Sequence, residues 1–324
     1  MKVLLTGATG FIGSFLTEEL VKKGYEVRCL VRTHSDLKWI ADLDVECVYG
    51  DLFNKQSIKR AVNGVDYVYH LAGVTDAVSK IDFIKVNYQG TKNLIEIAYK
   101  EKLKRFVYLS SQAASGPSNS MAPVKESDKP RPVSVYGRSK LAAEAVIKRY
   151  TDKVPVTILR PSSVYGPRDK GLLVVFKMVK SGIVPLLSYR DKYLNIVHVD
   201  DLVRGIIEAG ESRKTAGETY FISESRPYSW AEISNIALRN FGKKGIHIPV
   251  SLELIGKGVK VLEFTSKVFQ HSIRLTSDKI RELEEDFWIC STKKILKDIN
   301  FSTTVKIEDG INATLAWYRE HNWL

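Results

Sequence analysis

Val3-Leu4-Leu5-Thr6-Gly7-Ala8-Thr9-Gly10-Phe11-Ile12-Gly13 decides the fold of this chain. Val3–Thr6 reads as a short apolar strand. Helical periodicity follows over Ser14–Lys23 and stops at Gly24. Three glycines at spacings of three stand between the two. They let the backbone turn tightly and approach a pyrophosphate, which the free N–H groups of the helix N-terminus then face. A glycine triplet alone is weak evidence; the strand before it and the helix after it make it specific. Gly7, Thr9, Gly10, Phe11, Ile12 and Gly13 are therefore the first candidate binding residues.

Outward from this turn, strand and helix signals alternate. Glu26–Val31, Val45–Tyr49, Tyr67–Leu71, Phe106–Leu109 and Val156–Leu159 read as strands. Lys55–Val62, the amphipathic stretch Ile81–Tyr99, and Tyr136–Tyr150 read as helices. Strands recurring with intervening helices mean an α/β fold, a doubly wound and mostly parallel sheet covered on both faces. Ser115–Pro132 is a loop after a strand, where ligands bind in such folds. Beyond Pro161 the pattern loosens into helices at Asp201–Ala209, Trp230–Asn240, Leu252–Phe269 and Val305–Arg319, with one strand at Thr219–Ile222. The expected division is a dinucleotide-binding unit over 1–165, to which 193–222 returns. A smaller, mainly helical, substrate-binding cap covers 166–192 and 223–324.

Composition narrows the class. The 324 residues are 44% hydrophobic and 27% charged, as in soluble globular proteins, which excludes disordered, collagen-like and disulfide-scaffold chains. Apolar stretches such as Leu172–Phe176 are too short to span a bilayer, and no secretory apolar region fits the N-terminus. A cytoplasmic protein without stable membrane insertion is expected. The net charge of +12 suggests nucleic acid until its distribution is read. Residues 1–165 hold 25 basic and 17 acidic side chains and 166–324 hold 24 and 20, with no basic tail, so no nucleic-acid partner is expected. Cys29, Cys47 and Cys290 form no CxxC pair, and the six histidines form no HExxH, so no metal site is expected.

The second strand ends at Val31-Arg32, about twenty residues beyond Gly13, where the ribose-reading residue is expected. Arg32 cannot accept from a free 2′-hydroxyl but pairs well with a 2′-phosphate. NADP(H) is thus favoured, with NAD(H) possible; Asp36 is a competing acid further into the loop. Gly50-Asp51-Leu52 and His70-Leu71-Ala72-Gly73 end the third and fourth strands and flank the adenine and its ribose. Asp51 reads equally as an acceptor from the adenine amino group and as an N-cap for Lys55–Val62. His70 reads as a packed, hydrogen-bonded histidine.

Tyr136-Gly-Arg-Ser-Lys140 opens a helix, and its i, i+4 spacing puts Tyr136 and Lys140 on one face. A neighbouring ammonium stabilises a phenolate and lowers the tyrosine pKa from about 10. That pair suits a general acid and base at an alcohol or ketone oxygen. Ser110 and Ser111 follow a strand, and Ser111 stands 25 residues before Tyr136, placed to hold the substrate oxygen.

These features together resemble the extended, epimerase/dehydratase-like branch of the short-chain dehydrogenase/reductase superfamily. The carriers are Gly7–Gly13, Gly50-Asp51-Leu52, His70-Leu71-Ala72-Gly73, Asn87 with Gly90 and Thr91, Ser110-Ser111, Tyr136–Lys140, Arg160–Pro167 and His198-Val199-Asp200-Asp201. The resemblance covers nearly the whole chain and implies a Rossmann sheet. It implies that Tyr136 is the acid/base, Lys140 binds the nicotinamide ribose and tunes the tyrosine, and Ser111 polarises the substrate oxygen. It also implies that Asn87, Pro161 and Ser163 belong to the cofactor site, and that the protein is a homodimer. One of the paired aspartates, Asp200 or Asp201, is expected to cap the next helix.

Two departures bear on the substrate. Members acting on nucleotide sugars usually carry Gly-x-Gly-x-x-Arg before the segment matching His198; here Ser188–Asn195 lacks the glycines and has Leu194 where the arginine is expected. The amphipathic segment Leu252–Phe269 looks more like the 3β-hydroxysteroid dehydrogenase-like and dihydroflavonol reductase-like groups, though ordinary helix packing is the favoured explanation of its apolar stripe. The expected activity is hydride transfer between a nicotinamide and a carbonyl or secondary alcohol of a small-molecule substrate. The alternative is a nucleotide-sugar epimerase or dehydratase with a tightly bound NAD(P), in which Arg190 and Lys192 serve a diphosphate. A protein that merely senses the dinucleotide has no need of Ser111, Tyr136 and Lys140.

Overall fold

The computed structural model describes residues 1–77, 79–186, 191–251 and 276–324, and seven strands in it form one sheet. These are β1 (Lys2–Thr6), β2 (Glu26–Val31), β3 (Val45–Tyr49), β4 (Tyr67–His70), β5 (Arg105–Leu109), β6 (Val156–Pro161) and the later strand Glu218–Ile222. Their order is Glu218–Ile222, β6, β5, β4, β1, β2, β3, and every neighbouring pair is parallel. The winding reverses at β1, so the carboxyl ends of β1 and β4 border the crevice where such sheets bind ligands. Leu252–Phe269 and Arg190 lie outside the described residues.

Burial on both faces explains why the strands read as continuous apolar runs. Val3 and Leu5 enter the core under the helix α1 (Phe11–Lys22), and Leu4 points the other way into the core under α2 (Lys55–Val62). All three are fully buried, and each contributes about 1.5–3 kcal/mol relative to exposure. The remaining chain is mainly helical, with Gly171–Lys180, Trp230–Asn240, Ser277–Glu284, Lys293–Ile299 and Ile307–Glu320 beside short strand pairs. It has its own core, which includes Phe176, Ile236, Leu315 and Tyr318. Among the described residues no helix is long and apolar enough to cross a membrane.

The stretch expected as one helix over Ile81–Tyr99 is instead broken. It runs as Lys80–Phe83, a π-helical Ile84–Gly90, Thr91–Ala98 and a 3₁₀ turn at Tyr99–Glu101. π-helical turns inside helices concentrate at functional sites, and this one carries the buried Asn87. Two capping expectations are corrected. Asn54, not Asp51, caps α2; Asp51 Oδ1 instead accepts from the N–H groups of Phe53 and Asn54 at 2.6 and 3.0 Å, shaping the turn before it. Neither Asp200 nor Asp201 caps Val199–Glu211, since His198 does. Asp201 is buried and accepts from the N–H groups of Thr304 and Val305 while pairing with Arg204.

A buried polar chain crosses the sheet beneath the crevice. Thr6 Oγ1 lies 2.7 Å from His70 Nδ1, and His70 Nε2 lies 2.8 Å from Thr91 Oγ1. Thr6 Oγ1 already accepts from the Ala72 N–H, and Thr91 Oγ1 donates to the Asn87 carbonyl at 2.6 Å. Thr6 is therefore the donor to Nδ1, and the imidazole proton sits on Nε2. Burial, reinforced by the Lys140 charge, holds the His70 pKa down to about 3.

His70 is thus neutral in the fold. Unfolding frees it to titrate near 6.5. Between pH 6.5 and about 3 the unfolded chain holds the extra proton, so stability falls as pH falls. Urea unfolding at pH 6.5 and pH 5 should show a loss of about 2 kcal/mol from this group. His70→Gln should show a correspondingly shallower decline; equal declines in the two proteins would remove His70 as the titrating group.

Candidate active site

Three glycines shape the floor of the crevice. Gly7 directly follows β1 with φ +81°, and a Cβ there would lie 2.7 Å from the Ala72 nitrogen, so only glycine lets the chain leaving β1 meet the loop after β4. Gly13 packs α1 against the same turn; a Cβ on it would stand 2.0 Å from the Gly7 carbonyl oxygen. Gly10 is the N-cap of α1, with no side-chain cap and no acid in the first turn. The donors at the start of α1 are thus open to an anion. Thr9, Phe11 and Ile12 line this turn, half-buried.

At the tip of β2, Arg32 is exposed. Its main chain closes a turn with Ser35, through Arg32 N–H to Ser35 Oγ and Ser35 N–H to Arg32 O. Asp36 is held in its own turn, where Oδ1 accepts from the Lys38 N–H at 3.1 Å. Arg168 joins this edge to the rest. Its guanidinium stacks over Trp39 at 4.4 Å and Phe15 at 4.5 Å, and donates to Ser14 Oγ and Glu18 Oε1. Sequence reasoning missed Arg168; its place directly after Pro167 was the one local signal.

The third and fourth strand tips complete the wall. Leu52 is buried against Gly90, and its carbonyl accepts from Asn93 Nδ2. Leu71 and Ala72 are half-buried and Gly73 is exposed. A Cβ on Gly73 would come within 3.0 Å of Asn87 Oδ1 and 3.3 Å of Lys140 Nζ. Asn87 itself is spent on structure. Its Oδ1 accepts from the Val74 N–H at 2.8 Å, and its Nδ2 donates to the Val74 carbonyl and to Ser139 Oγ.

Tyr136 and Lys140 lie in the helix Val135–Lys148, capped by Ser134. Burial and the Glu282 and Asp76 carboxylates push the Tyr136 phenol above its usual 10, while a hydrogen bond with the Ser111 side chain pulls it down. Burial lowers Lys140 to about 8, against the opposing pull of Glu144. Its ammonium donates to the Leu109 carbonyl at 2.9 Å and lies 5.0 Å over the Tyr108 ring. Ser111 lies two residues past β5 and caps the short helix Gln112–Ser115, with Oγ accepting from the Ala113 N–H.

Its neighbour Ser110 turns under the sheet and donates to Glu144 Oε1 at 2.5 Å. Glu144 is clamped in turn by Arg160 through bonds of 2.9 and 2.6 Å, with both side chains buried. Removing one partner of such a pair costs about 3–5 kcal/mol. The two serines are thereby separated, Ser110 below and Ser111 at the front. Pro161 is buried, Ser162 Oγ meets Ser223 Oγ at 2.7 Å, and Ser163 is exposed at the crevice side of the strand Ser163–Tyr165.

Lys192 does not stand ready for a diphosphate. Its ammonium is bound to the carbonyls of Glu284 and Glu285 and to Asp286 Oδ1. Among the described residues no cluster of His, Cys, Asp and Glu is built to hold a metal ion. Sequence reasoning also missed Asp278 and Glu282, which touch the start of the Tyr136 helix from Ser277–Glu284.

Residues 3–223 match the NAD dependent epimerase/dehydratase family. The chain belongs to that family. It is an enzyme of the extended short-chain dehydrogenase/reductase superfamily. A ceramide reductase of Caulobacter vibrioides is 29% identical over 99% of this chain and 96% of its own length. A 3-beta-hydroxysteroid dehydrogenase of Mycolicibacterium neoaurum is 28% identical over 98% of this chain and 92% of its own. The UDP-glucuronic acid 4-epimerase of Bacillus cereus, solved with UDP-glucuronic acid and NAD, shares the fold. Its TM-score is 0.79 at 22% identity, with 99% of this chain and 100% of that one covered. The glycine turn fits the dinucleotide of this epimerase/dehydratase family, since Gly7 and Gly13 let the backbone pack closely while the first N–H groups of α1 stay without a side-chain cap.

Proposed function

We propose that this protein is an NAD(P)-dependent oxidoreductase acting on a carbonyl or secondary alcohol. The observation that carries this reading is the Ser111 side chain next to the Tyr136 phenol, with Lys140 buried one turn on and beside Gly73. Gly7, Thr9, Gly10, Phe11, Ile12 and Gly13 would cradle the pyrophosphate. Asp51, Leu52, Leu71, Ala72 and Gly73 would flank the adenine side, with Pro161 and Ser163 near the nicotinamide. The dinucleotide supplies hydride chemistry when bound. Ser111 then holds the substrate oxygen, and Tyr136 gives it a proton in reduction or takes one in oxidation. Lys140 binds ribose hydroxyls and offers a positive charge to a forming phenolate. Asn87 positions the loop around Val74, against which the reacting groups stand.

A polar substrate built on a nucleotide diphosphate is disfavoured. Leu194 replaces the expected arginine, and the Lys192 ammonium is already bound. The names of the ceramide reductase and the steroid dehydrogenase support a largely apolar ketone or alcohol instead. The protein is placed in the cytoplasm. It is read as a twofold homodimer built on Val135–Lys148 and Thr91–Ala98. Ala142 and Ala145 leave room on the outer face of the first helix, whereas Ala143 is buried in its own core.

Three measurements test these readings. Tyr136→Phe removes one hydroxyl, so cofactor affinity should hold while turnover on a responsive ketone falls at least about a hundredfold. Near-normal turnover would take Tyr136 out of the reaction. Fluorescence titration should show NADP(H) binding more tightly than NAD(H), with Arg32→Asp reversing the order by removing a charge-assisted contact; tighter wild-type binding of NAD(H) overturns the role of Arg32. Light scattering at micromolar concentration should give twice the 36.6 kDa chain mass, and a monomer mass would contradict the dimer.

A further inference from the structure

The first N–H groups of a helix have no partner within it. In the tyrosine helix two of them are taken by one carboxylate from far along the chain. Val135 N–H donates to Asp278 Oδ1 at 2.7 Å, and Tyr136 N–H donates to Asp278 Oδ2 at 3.0 Å. The next donor, Gly137 N–H, goes to Ser134 Oγ at 2.9 Å. The Ser134 hydroxyl passes its own proton to Glu282 Oε1 at 2.7 Å. Asp278 and Glu282 stand one turn apart on Ser277–Glu284, which Thr276 caps. Three successive donors at the head of the tyrosine helix are thus satisfied, and both routes end on this second helix.

The same helix faces the phenol. Around Tyr136 stand Tyr108 from β5, Ser111 just beyond it, Asp76 from the loop after β4, and the Phe83 ring at 6.1 Å. Lys140 lies on its own helix, and Asp278, Lys279 and Glu282 lie across from it. Lys279 pairs with Glu282 at 2.9 Å and is also held in its charged form by Asp76 and Asp278.

We propose that Asp278 is a positioning residue for the reaction: its carboxylate fixes the main chain of Tyr136, and with Glu282 it makes Ser277–Glu284 part of the proton-transfer apparatus. This rests on the proposed role of Tyr136 and adds the element that holds it. Two full charge-assisted bonds to consecutive N–H groups leave the head of the helix little freedom. Their negative charge also offsets the positive end of the helix dipole, which would otherwise favour a phenolate at its second residue. Neutralising Asp278 should therefore make the phenol easier to ionise.

The test needs no substrate. The full chain is labelled with 3-fluorotyrosine, whose phenol ionises at lower pH, and the Tyr136 fluorine resonance is assigned by its absence from Tyr136→Phe. Asp278→Asn should lower the midpoint of that resonance by about one pH unit. Glu282→Gln should lower it in the same direction, and it carries the test if Asp278→Asn does not fold. Ser229→Ala serves as control, because it breaks the capping box of the distant helix Trp230–Asn240. It should lower Tm and leave the midpoint in place. A midpoint in Asp278→Asn and Glu282→Gln equal to that of the parent, with only Tm reduced, makes both residues ordinary caps and overturns the proposal. Turnover of Tyr136→Phe decides the role of the tyrosine separately, so the two failures are distinguishable.

Discussion

One buried chain of hydrogen bonds holds the crevice together. It runs from Thr6 at the end of β1, through His70 at the end of β4, to Thr91 and Asn87. From Asn87 it divides to Val74 in the loop after β4 and to Ser139 in the tyrosine helix. It thereby links the strand that feeds the glycine turn to the helix that carries Tyr136 and Lys140. Every member is buried or half-buried, so an unmet partner would cost about 1–3 kcal/mol. The neutral His70 is the hinge of this chain, because it needs one donor and one acceptor and finds both.

The electrostatics around the proposed proton donor are divided between two sides. On one, burial makes the Lys140 ammonium easier to deprotonate, and it donates to the Leu109 carbonyl. On the other, Glu282 and Asp76 oppose ionisation of the phenol, and Ser111 favours it. In this state the tyrosine is a protonated phenol, the form needed to donate to a carbonyl oxygen. The Glu144–Arg160 pair lies below, bracing the helix against β6, and the Glu144 charge opposes the lowering of the Lys140 pKa.

The legible parts of the molecule were those encoded locally. The glycine turn and the Tyr136–Lys140 spacing each lie within one short stretch, and the parallel sheet follows from strands and helices that alternate along the chain. The buried role of His70 was also readable from its strand. Caps were misread where several Asx and serine side chains compete within a few residues, as at Asp51 and Asn54, since each offers an oxygen to the same free N–H groups. The break at Ile84–Gly90 left no mark, because its apolar spacing still suits an unbroken helix. Arg168, Asp278 and Glu282 were illegible for a different reason. Their partners lie 142 to 154 residues away, and no local pattern records such a distance. Ser277–Glu284 is itself only two turns long, too short for periodicity to declare.

On the proposed reading, the glycine floor and the Ser111–Tyr136 pair serve one ligand at one crevice. A crystal structure of the protein grown with NADP⁺ tests it most directly. The pyrophosphate should lie on the N–H groups at the start of α1, the 2′-phosphate beside Arg32, and the nicotinamide ring next to Ser111 and Tyr136. A dinucleotide bound elsewhere, or bound in the crevice with its nicotinamide turned away from Tyr136, would contradict it.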